Sequence, residues 1–225
     1  MIIAVAVCTI VVFCFKDALF GVILAPQQSD FVTYRLLQQI TERLTEAGDG
    51  SVMSPMSVRL INTGLAQQFL LHVKTSCYVG FILASPYIIY LLFRFISPAL
   101  YRNERRYAVQ LITGGYVMFL LGMMLSYFLI FPLTFRFLGT YQVSDVVENT
   151  VTIESYIDTL LMISLSMGLV FEIPVVCWIM GRMGIISAKM MCHYRRHVIV
   201  ALLVIGAVIT PTADVFTLLL VSMPM

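Results

Sequence analysis

Residues 108–131 read AVQLITGGYVMFLLGMMLSYFLIF and contain no Asp, Glu, Lys or Arg. As an α-helix this run is about 36 Å long, which exceeds the ~30 Å hydrocarbon core of a bilayer. In the whole chain 60% of residues are apolar and 12% are charged; soluble domains average about 45–50% and about 25%. The chain carries more apolar surface than water accommodates, and we predict an all-α polytopic transmembrane bundle.

Apolar runs on both sides of this segment predict the remaining spans. We predict five complete spans and the start of a truncated sixth, over residues 2–25, 75–96, 108–131, 159–180, 198–210 and 215–225. Pro26 and Pro132 mark the ends of two of these runs. Pro86 and Pro174 lie inside spans, where neighbouring groups can satisfy the carbonyl that a proline frees. The whole chain is therefore predicted to form one transmembrane domain.

The last two runs are short, and Pro211 and Asp214 lie between them, which predicts a shallow helical hairpin. Such a hairpin would thin the bilayer locally; a single longer helix broken by proline is the alternative. Elsewhere, two pairs of small residues four positions apart favour close helix packing. They are Gly122 with Ser126, and Ser164 with Gly168.

The distribution of basic residues predicts the orientation. Loops 97–107 and 181–197 and their borders contain eight basic residues and one acid, Glu104. The basic residues are Arg94, Arg102, Arg105, Arg106, Arg182, Lys189, Arg195 and Arg196. Because basic residues concentrate on the cytoplasmic side, these loops and the N-terminus are predicted to be cytoplasmic. Loops 26–74 and 132–158 are then extracytoplasmic. Within the first of these loops, an amphipathic helix is predicted, with Asp30 as its N-cap and Val32 on its apolar face.

Glu172 is predicted deep in the fourth span, in the sequence Phe171-Glu172-Ile173-Pro174. A charged side chain at the centre of a membrane helix costs about 2.5–3.5 kcal/mol on insertion scales, and such residues are commonly functional. Glu172 is therefore expected to face a water-filled cavity or a partner. The alternative is a protonated glutamic acid that ties helices together by hydrogen bonds.

Glu104 and Asp214 are two further candidate acids. Glu104 can pair with Arg105 and Arg106 as an ordinary exposed ion pair, which would be weak. It can also accept a guanidinium group in a bidentate, charge-assisted contact. Asp214 is interpreted as a turn or N-cap residue of the predicted hairpin unless it has a further role.

Several classes of protein have no support in this sequence. It contains no Walker A sequence, HExxH, GxSxG or dinucleotide-binding glycine pattern, so no enzyme and no cofactor is predicted. His193 and His197 are four residues apart but lack a third ligand, and the five cysteines form no CxxC pair, so no metal site is predicted. A net charge of +2 gives no argument for nucleic acid.

Ordered motifs along almost the whole chain resemble the TatC family, the multi-span receptor subunits of the twin-arginine protein translocase. The longest motif is Phe95–Arg106, FISPALYRNERR. The others are ASPY at 84–87, YFLIFP at 127–132, FEIPV at 171–175, TPTADVF at 210–216 and MPM at 223–225. The resemblance implies six spans with both termini in the cytoplasm of a bacterium, within its inner membrane.

The resemblance also implies a function and the residues that perform it. Such a protein binds Arg-Arg signal peptides of folded cargo, with Glu104 receiving the arginines, Phe95 contributing to recognition, and Arg105 and Arg106 beside them. Glu172 would line an intramembrane cavity and position single-span TatA- and TatB-type subunits. Tyr127 and Asp214 would share this cavity and partner-binding role with Glu172. The residues that match structural positions of the family are Pro26, Phe69, Pro86, Pro98 and Pro174. The family further implies a homo-oligomer within the translocation complex.

Three departures from the family pattern accompany this resemblance. An N-terminal cytoplasmic segment with its own glutamate is absent, the sixth span is cut short, and Leu218 replaces a glutamine. We therefore expect a fragment whose own peptide binding is impaired. Two other functions compete: a proton-coupled small-solute transporter that uses Glu172, and a structural scaffold, which would leave Glu104 and Glu172 unexplained.

Overall fold

The computed structural model describes residues 2–28, 31–35, 59–96, 108–140, 150–182, 194–209 and 215–224. These residues are overwhelmingly helical, which confirms the predicted all-α membrane architecture. The helices are Ile2–Cys14 (α1), Lys16–Leu24 (α2), Gln67–Ile96 (α3), Ala108–Leu125 (α4), Phe131–Thr140 (α5), Ile153–Val170 (α6), Ile173–Arg182 (α7), Arg195–Ile209 (α8) and Val215–Ser222 (α9). A 3₁₀ turn covers Ala25–Gln27, and a π turn, Ser126–Ile130, joins α4 to α5.

Two continuous helical segments of the described chain are long and apolar enough to cross a membrane. They are Ile112–Thr140 and Ile153–Gly181. A third is added if α1 and Lys16–Arg35, a pair bent by 87°, are counted as one span. The sequence predicted one span over residues 2–25. The helix breaks instead at Phe15, whose backbone (φ −102°, ψ 51°) leaves the helical region, and Lys16 and Asp17 are exposed beside the bend.

Helix α3 contains Pro86 and continues past it. A proline cannot donate to the carbonyl four residues earlier, which here belongs to Ile82. The Ser85 hydroxyl donates to that carbonyl at 2.6 Å. The expectation that a neighbour would satisfy the freed carbonyl is thus met within the same turn of the helix.

The helix formed by α4 and α5 does not stop at Pro132, where the sequence predicted its end. The π turn widens the helix just before the proline, and α5 continues to Thr140. The Phe128 carbonyl, four residues before Pro132, accepts a hydrogen bond from the Thr33 hydroxyl. The helix continues past Pro132 because a wider turn and a hydroxyl from another segment compensate for the hydrogen bond that the proline cannot make.

Close helix packing organises the bundle around α1 with α3 and α4 with α6. A Cβ on Gly80 would lie 2.5 Å from Thr9 Oγ1 and 2.7 Å from the Thr9 nitrogen. A Cβ on Gly122 would lie 2.6 Å from the Met167 carbonyl oxygen, and one on Gly168 would lie 2.8 Å from a Phe119 ring carbon. At Gly80 and Gly122 the close neighbours include backbone atoms, and at Gly168 they are side chains of α4. The small-residue pairs in α4 and α6 predicted such close packing.

The sides of α4 and α6 also meet through a buried pair of hydroxyls. Ser126 donates to Ser164 at 3.3 Å, and both side chains are buried. Val221 of α9 is fully buried in the same region, against Ile130, Ile163 and Met167. The final short helix is therefore anchored to the centre of the bundle.

Two short strands connect the segments that lead into α3 and α6. They are Leu60–Ile61 (β1) and Val151–Thr152 (β2), paired in parallel. Gln67 Nε2 donates to Glu154 Oε2 at 2.5 Å, and Lys74 Nζ lies 2.6 Å from Asp158 Oδ1. We call these two side-chain pairs the α3–α6 polar bridge.

The last two described helices follow the predicted pair of short runs. Helix α8 begins three residues before the predicted start at residue 198, and α9 begins at Val215. They pack against each other, and a Cβ on Gly206 would lie 3.4 Å from Leu218 Cδ1. Whether each predicted segment crosses the bilayer, and from which side, stays a prediction.

Candidate intramembrane site at Glu172

Glu172 lies in a break between α6 and α7. The break covers Phe171 and Glu172, and Glu172 lies two residues before Pro174. Pro174 has no N–H and cannot donate to the carbonyl of Val170. The Glu172 backbone still bonds to both helices: its N–H donates to Leu169 at 3.1 Å, and its carbonyl accepts from Val176 at 3.0 Å. The sequence therefore holds this carboxylate at a bend, attached to a rigid element on either side.

The Glu172 carboxylate rests against the backbone of α4 at Gly115. A Cβ on Gly115 would lie 3.1 Å from Oε2 and 3.5 Å from Oε1 of Glu172. Gly115 is buried, whereas Glu172 is half-buried. The absence of a side chain at Gly115 is therefore what allows the carboxylate to lie close to α4.

One carboxylate oxygen of Glu172 has no hydrogen-bond partner among the residues that the structure describes. Oε1 is shielded from solvent and unpaired. A buried unpaired carboxylate oxygen is costly, so a group that donates to it would be bound favourably. The alternative role predicted for Glu172, a hydrogen bond that ties helices together, finds no such bond in this part of the chain.

Tyr127, which was predicted to share the cavity with Glu172, lies elsewhere. Twelve residues separate it from Gly115 along one continuous helix, which corresponds to about 18 Å. Its hydroxyl donates to the Val22 carbonyl at 2.5 Å, and its ring packs edge-on to Phe31 and Phe128. The structure therefore separates Tyr127 from Glu172.

The Tyr127 contact completes a pattern that the sequence analysis missed. Pro26, Pro86 and Pro132 each lack the N–H that an α-helix directs at the carbonyl four residues earlier. At Pro26 the Ala25 N–H donates to that carbonyl, which belongs to Val22. In each case a hydroxyl donates to that carbonyl. The three pairs are Tyr127 to Val22, Ser85 to Ile82 and Thr33 to Phe128. The positions of the prolines could have predicted the acceptors, but two of the donors are distant in sequence.

Tyr34 and Tyr156 extend this set of tyrosine caps. The buried Tyr34 hydroxyl donates to the carbonyls of Pro26 at 3.3 Å and Pro132 at 3.1 Å. The Tyr156 hydroxyl donates to Ile23 at 3.0 Å. Within segment 31–35, Val32 is 55% exposed while Phe31 and Thr33 are buried, and the apolar face predicted for this helix stays a prediction.

The remaining predicted residues fall into two groups. Pro26 is buried in the 3₁₀ turn, Phe69 is 62% exposed in the first turn of α3, and Phe95 lies near the end of α3. Those outside the described residues are Asp30, Pro98, Glu104, Arg105, Arg106 and Asp214. The proposed peptide-binding loop therefore lies outside the described residues, and its role stays a prediction from the sequence.

Within the described ranges, no group of three or more His, Cys, Asp or Glu side chains could hold a metal ion.

The multi-span bundle and its intramembrane carboxylate define a polytopic helical membrane protein. The profile of the family described as "Sec-independent protein translocase protein (TatC)" matches residues 1–224. The chain belongs to the TatC family, whose members are components of a protein translocase.

Individual relatives and solved structures agree with this assignment. A Sec-independent protein translocase protein TatC from Blattabacterium is 30% identical over 99% of this chain and 84% of its own length. The protein of that name from Escherichia coli K12 is 36% identical over 76% of this chain and 66% of its own length. A crystal structure of the twin-arginine translocase receptor TatC in DDM superposes with a TM-score of 0.77, at 29% identity, over 99% of this chain and 88% of that one.

Proposed function

We propose that this chain is the subunit of a twin-arginine translocation complex that binds Arg-Arg signal peptides and nucleates assembly. The observation that supports this most is membership of the TatC family along the whole chain, combined with the motif Phe95–Arg106. Glu104 is the only acid among the eight basic residues of the two predicted cytoplasmic loops and their borders. A lone carboxylate there can form bidentate contacts with a guanidinium group.

Glu104 is proposed as the acceptor for the paired arginines, with Phe95 beside it. Helix α3 reaches Ile96, so Phe95 stands at the end of a rigid element that leads into the loop with Glu104. An aromatic side chain at this position can cover the apolar part of a signal peptide. Arg105 and Arg106 would hold the Glu104 carboxylate in its ionised form.

Glu172 is proposed as a contact for single-span TatA- and TatB-type partners. Its support is the unpaired Oε1 and the close contact of the carboxylate with Gly115 of α4. A polar side chain of a partner helix could donate to this oxygen inside the membrane. The proposed setting is the inner membrane of a bacterium, in a complex that contains further copies of this chain and has the N-terminus in the cytoplasm.

The test of peptide binding compares Glu104→Gln and Glu104→Ala with Asp17→Asn in the complete translocase. Asp17 is an exposed acid at the α1–α2 bend, far in sequence from the loop, and serves as the control. Photo-crosslinking of a twin-arginine signal peptide and export of a folded reporter are measured. Loss of a charge-assisted hydrogen bond of about 1.5–3 kcal/mol predicts a 10- to 100-fold loss of peptide affinity for the Glu104 variants. Undiminished crosslinking in Glu104→Ala would refute the proposal.

A further inference from the structure

The bundle contains a cavity of about 210 Å³ between α2, α3, the region where α4 meets the π turn, and α6. Its walls are mostly apolar side chains, including Ile23, Val79, Ile82, Met123 and Leu161. Tyr78, Tyr127 and Ser164 also line it, and the Tyr78 hydroxyl is shielded from solvent. The cavity lies toward the Tyr127 end of the bundle and is separate from the Glu172 carboxylate. Nothing in the proposed receptor role uses it.

The chemistry of the walls excludes water as a stable occupant. A buried water needs about two to four polar partners, and genuinely dry cavities are apolar. The Tyr127 hydroxyl, which belongs to the wall, already donates to the Val22 carbonyl. By comparison, an apolar cavity of roughly 150 Å³ in another protein stays dry and binds benzene. This cavity is therefore large enough for several carbon atoms of an apolar ligand.

The size of the cavity excludes a whole partner helix. A helix with its side chains is about 10–12 Å wide, so a volume of this size would hold less than one turn. The cavity is nevertheless open at its edge, where Val22 is 61% and Met124 is 55% exposed. Both residues belong to segments that we place in the membrane, so the opening faces hydrocarbon.

We propose that this cavity binds one acyl chain of a membrane phospholipid, inserted sideways between α2 and α4. A flexible chain is narrow enough to enter where a helix is not, and the apolar walls offer it contacts along its length. Met123 and Met124 are unbranched and adapt to a ligand of irregular shape. The bound chain would fill the space between the bent first segment and the helices against which it packs.

The test uses the intact protein in vesicles of phosphatidylethanolamine and phosphatidylglycerol, doped with a phosphatidylcholine that has a mid-chain diazirine. After illumination, mass spectrometry maps the labelled residues. We expect labels on the cavity floor at Leu160 and Leu161, which are buried at 3% and 7% exposure. Leu121 and Val117, exposed on α4, report ordinary contact with lipid.

Two variants that change the volume of the cavity, and one control variant, test whether labelling of the floor depends on the cavity. Val79→Phe fills the cavity and is expected to lower labelling of the floor about tenfold, which corresponds to ~1.4 kcal/mol. Ile82→Ala enlarges the cavity and is expected to raise labelling. Leu121→Phe places the same ring on the lipid-exposed side of α4 and should leave floor labelling unchanged.

Either of two results would overturn the proposal. The first is floor labelling no higher than background while Leu121 and Val117 are labelled. The second is floor labelling that neither Val79→Phe nor Ile82→Ala changes. A photoactivatable amino acid at Met124 separates the possible occupants: crosslinking to another protein chain instead of lipid would assign the cavity to a partner side chain and also overturn it.

Discussion

Gly115 and Gly114 provide a matched pair of positions beside Glu172. A Cβ on Gly115 would press against both carboxylate oxygens, whereas a Cβ on Gly114 meets nothing within 4 Å. We predict that Gly115→Ala displaces the Glu172 side chain and weakens assembly with single-span partners, while Gly114→Ala does not. Co-purification of the partner subunits measures the effect. Equal recovery of partners in both variants would argue that the contact between the Glu172 carboxylate and Gly115 has no role in assembly.

Glu172 itself is expected to act in assembly and not in peptide capture. We predict that Glu172→Ala keeps signal-peptide crosslinking and loses partner assembly, and that Glu172→Gln, which can still accept a hydrogen bond, loses less. Crosslinking and co-purification on the same membranes measure both steps. If Glu172→Ala assembled and exported normally, or abolished uptake of a small solute instead, the assigned role would be wrong.

Thr33 tests the idea that hydroxyl groups replace the bonds that prolines cannot make. Thr33→Val keeps the shape but removes the donor to the Phe128 carbonyl, whereas Thr33→Ser keeps the donor. We predict that Thr33→Val lowers the free energy of unfolding by about 1 kcal/mol and that Thr33→Ser lowers it less. Reversible unfolding in detergent measures the difference. Identical stability of the two variants would show that the hydroxyl contributes nothing.

For single residues, the sequence identified the important acids and prolines but not the groups that contact them. Glu172 was identified from its depth in an apolar run, and Pro86 was expected to be tolerated. The donors Thr33 and Tyr127 lie 95 and 105 residues from the carbonyls that they satisfy. A pairing over such separations depends on how the helices pack, which the local sequence does not specify.

Among the elements, α1 and α3 approach each other closely at Gly80. Gly80→Ala would place a Cβ within 2.8 Å of three Thr9 atoms, two of them backbone. Because backbone cannot move aside as a side chain can, we predict a loss of about 1–3 kcal/mol in unfolding free energy. Gly21→Ala is the control: that position is open and helical, so the same change should be neutral or slightly stabilising. Thermal unfolding in detergent distinguishes them, and equal melting temperatures would contradict the packing argument.

The elements also show where sequence patterns succeed and fail. Helices occur in all six places where the apolar runs predicted them, and the small residues predicted close packing at Gly122 and Gly168 without naming the partner helix. Two features that the sequence did not predict, the bend in the first span and the continuation past Pro132, both depend on backbone geometry. Phe15 leaves the helical region without glycine or proline, and the π turn absorbs a proline that usually ends a helix.

For the whole molecule, the α3–α6 polar bridge connects the two halves of the described bundle. The Lys74–Asp158 pair is exposed, at 54% and 40% of the two side chains, so it should contribute less than about 1 kcal/mol. We predict that Lys74→Met lowers stability only slightly and that raising salt reduces the difference further. A double-mutant cycle with Asp158→Asn measures the coupling. A coupling of several kcal/mol would mean that this face is shielded from solvent in the complex.

The fold of the whole molecule was predictable from composition and motif order, because hydrocarbon imposes helices on a chain of this kind. The bundle's internal arrangement was not, and neither was the apolar cavity, since both follow from tertiary packing. The peptide-binding loop rests on the sequence and on family membership.

The reciprocal contacts between the Pro26 and Pro132 segments have a consequence for biosynthesis. Tyr127 caps a carbonyl of the first segment, and Thr33 caps a carbonyl of the third. A ribosome completes the first segment roughly a hundred residues before it makes Tyr127. During that interval the Val22 carbonyl has the Ala25 N–H as its local donor. Thr33 is already in place when Phe128 is made, so the side-chain hydrogen bonds that join the two segments form only once the later segment packs against the first.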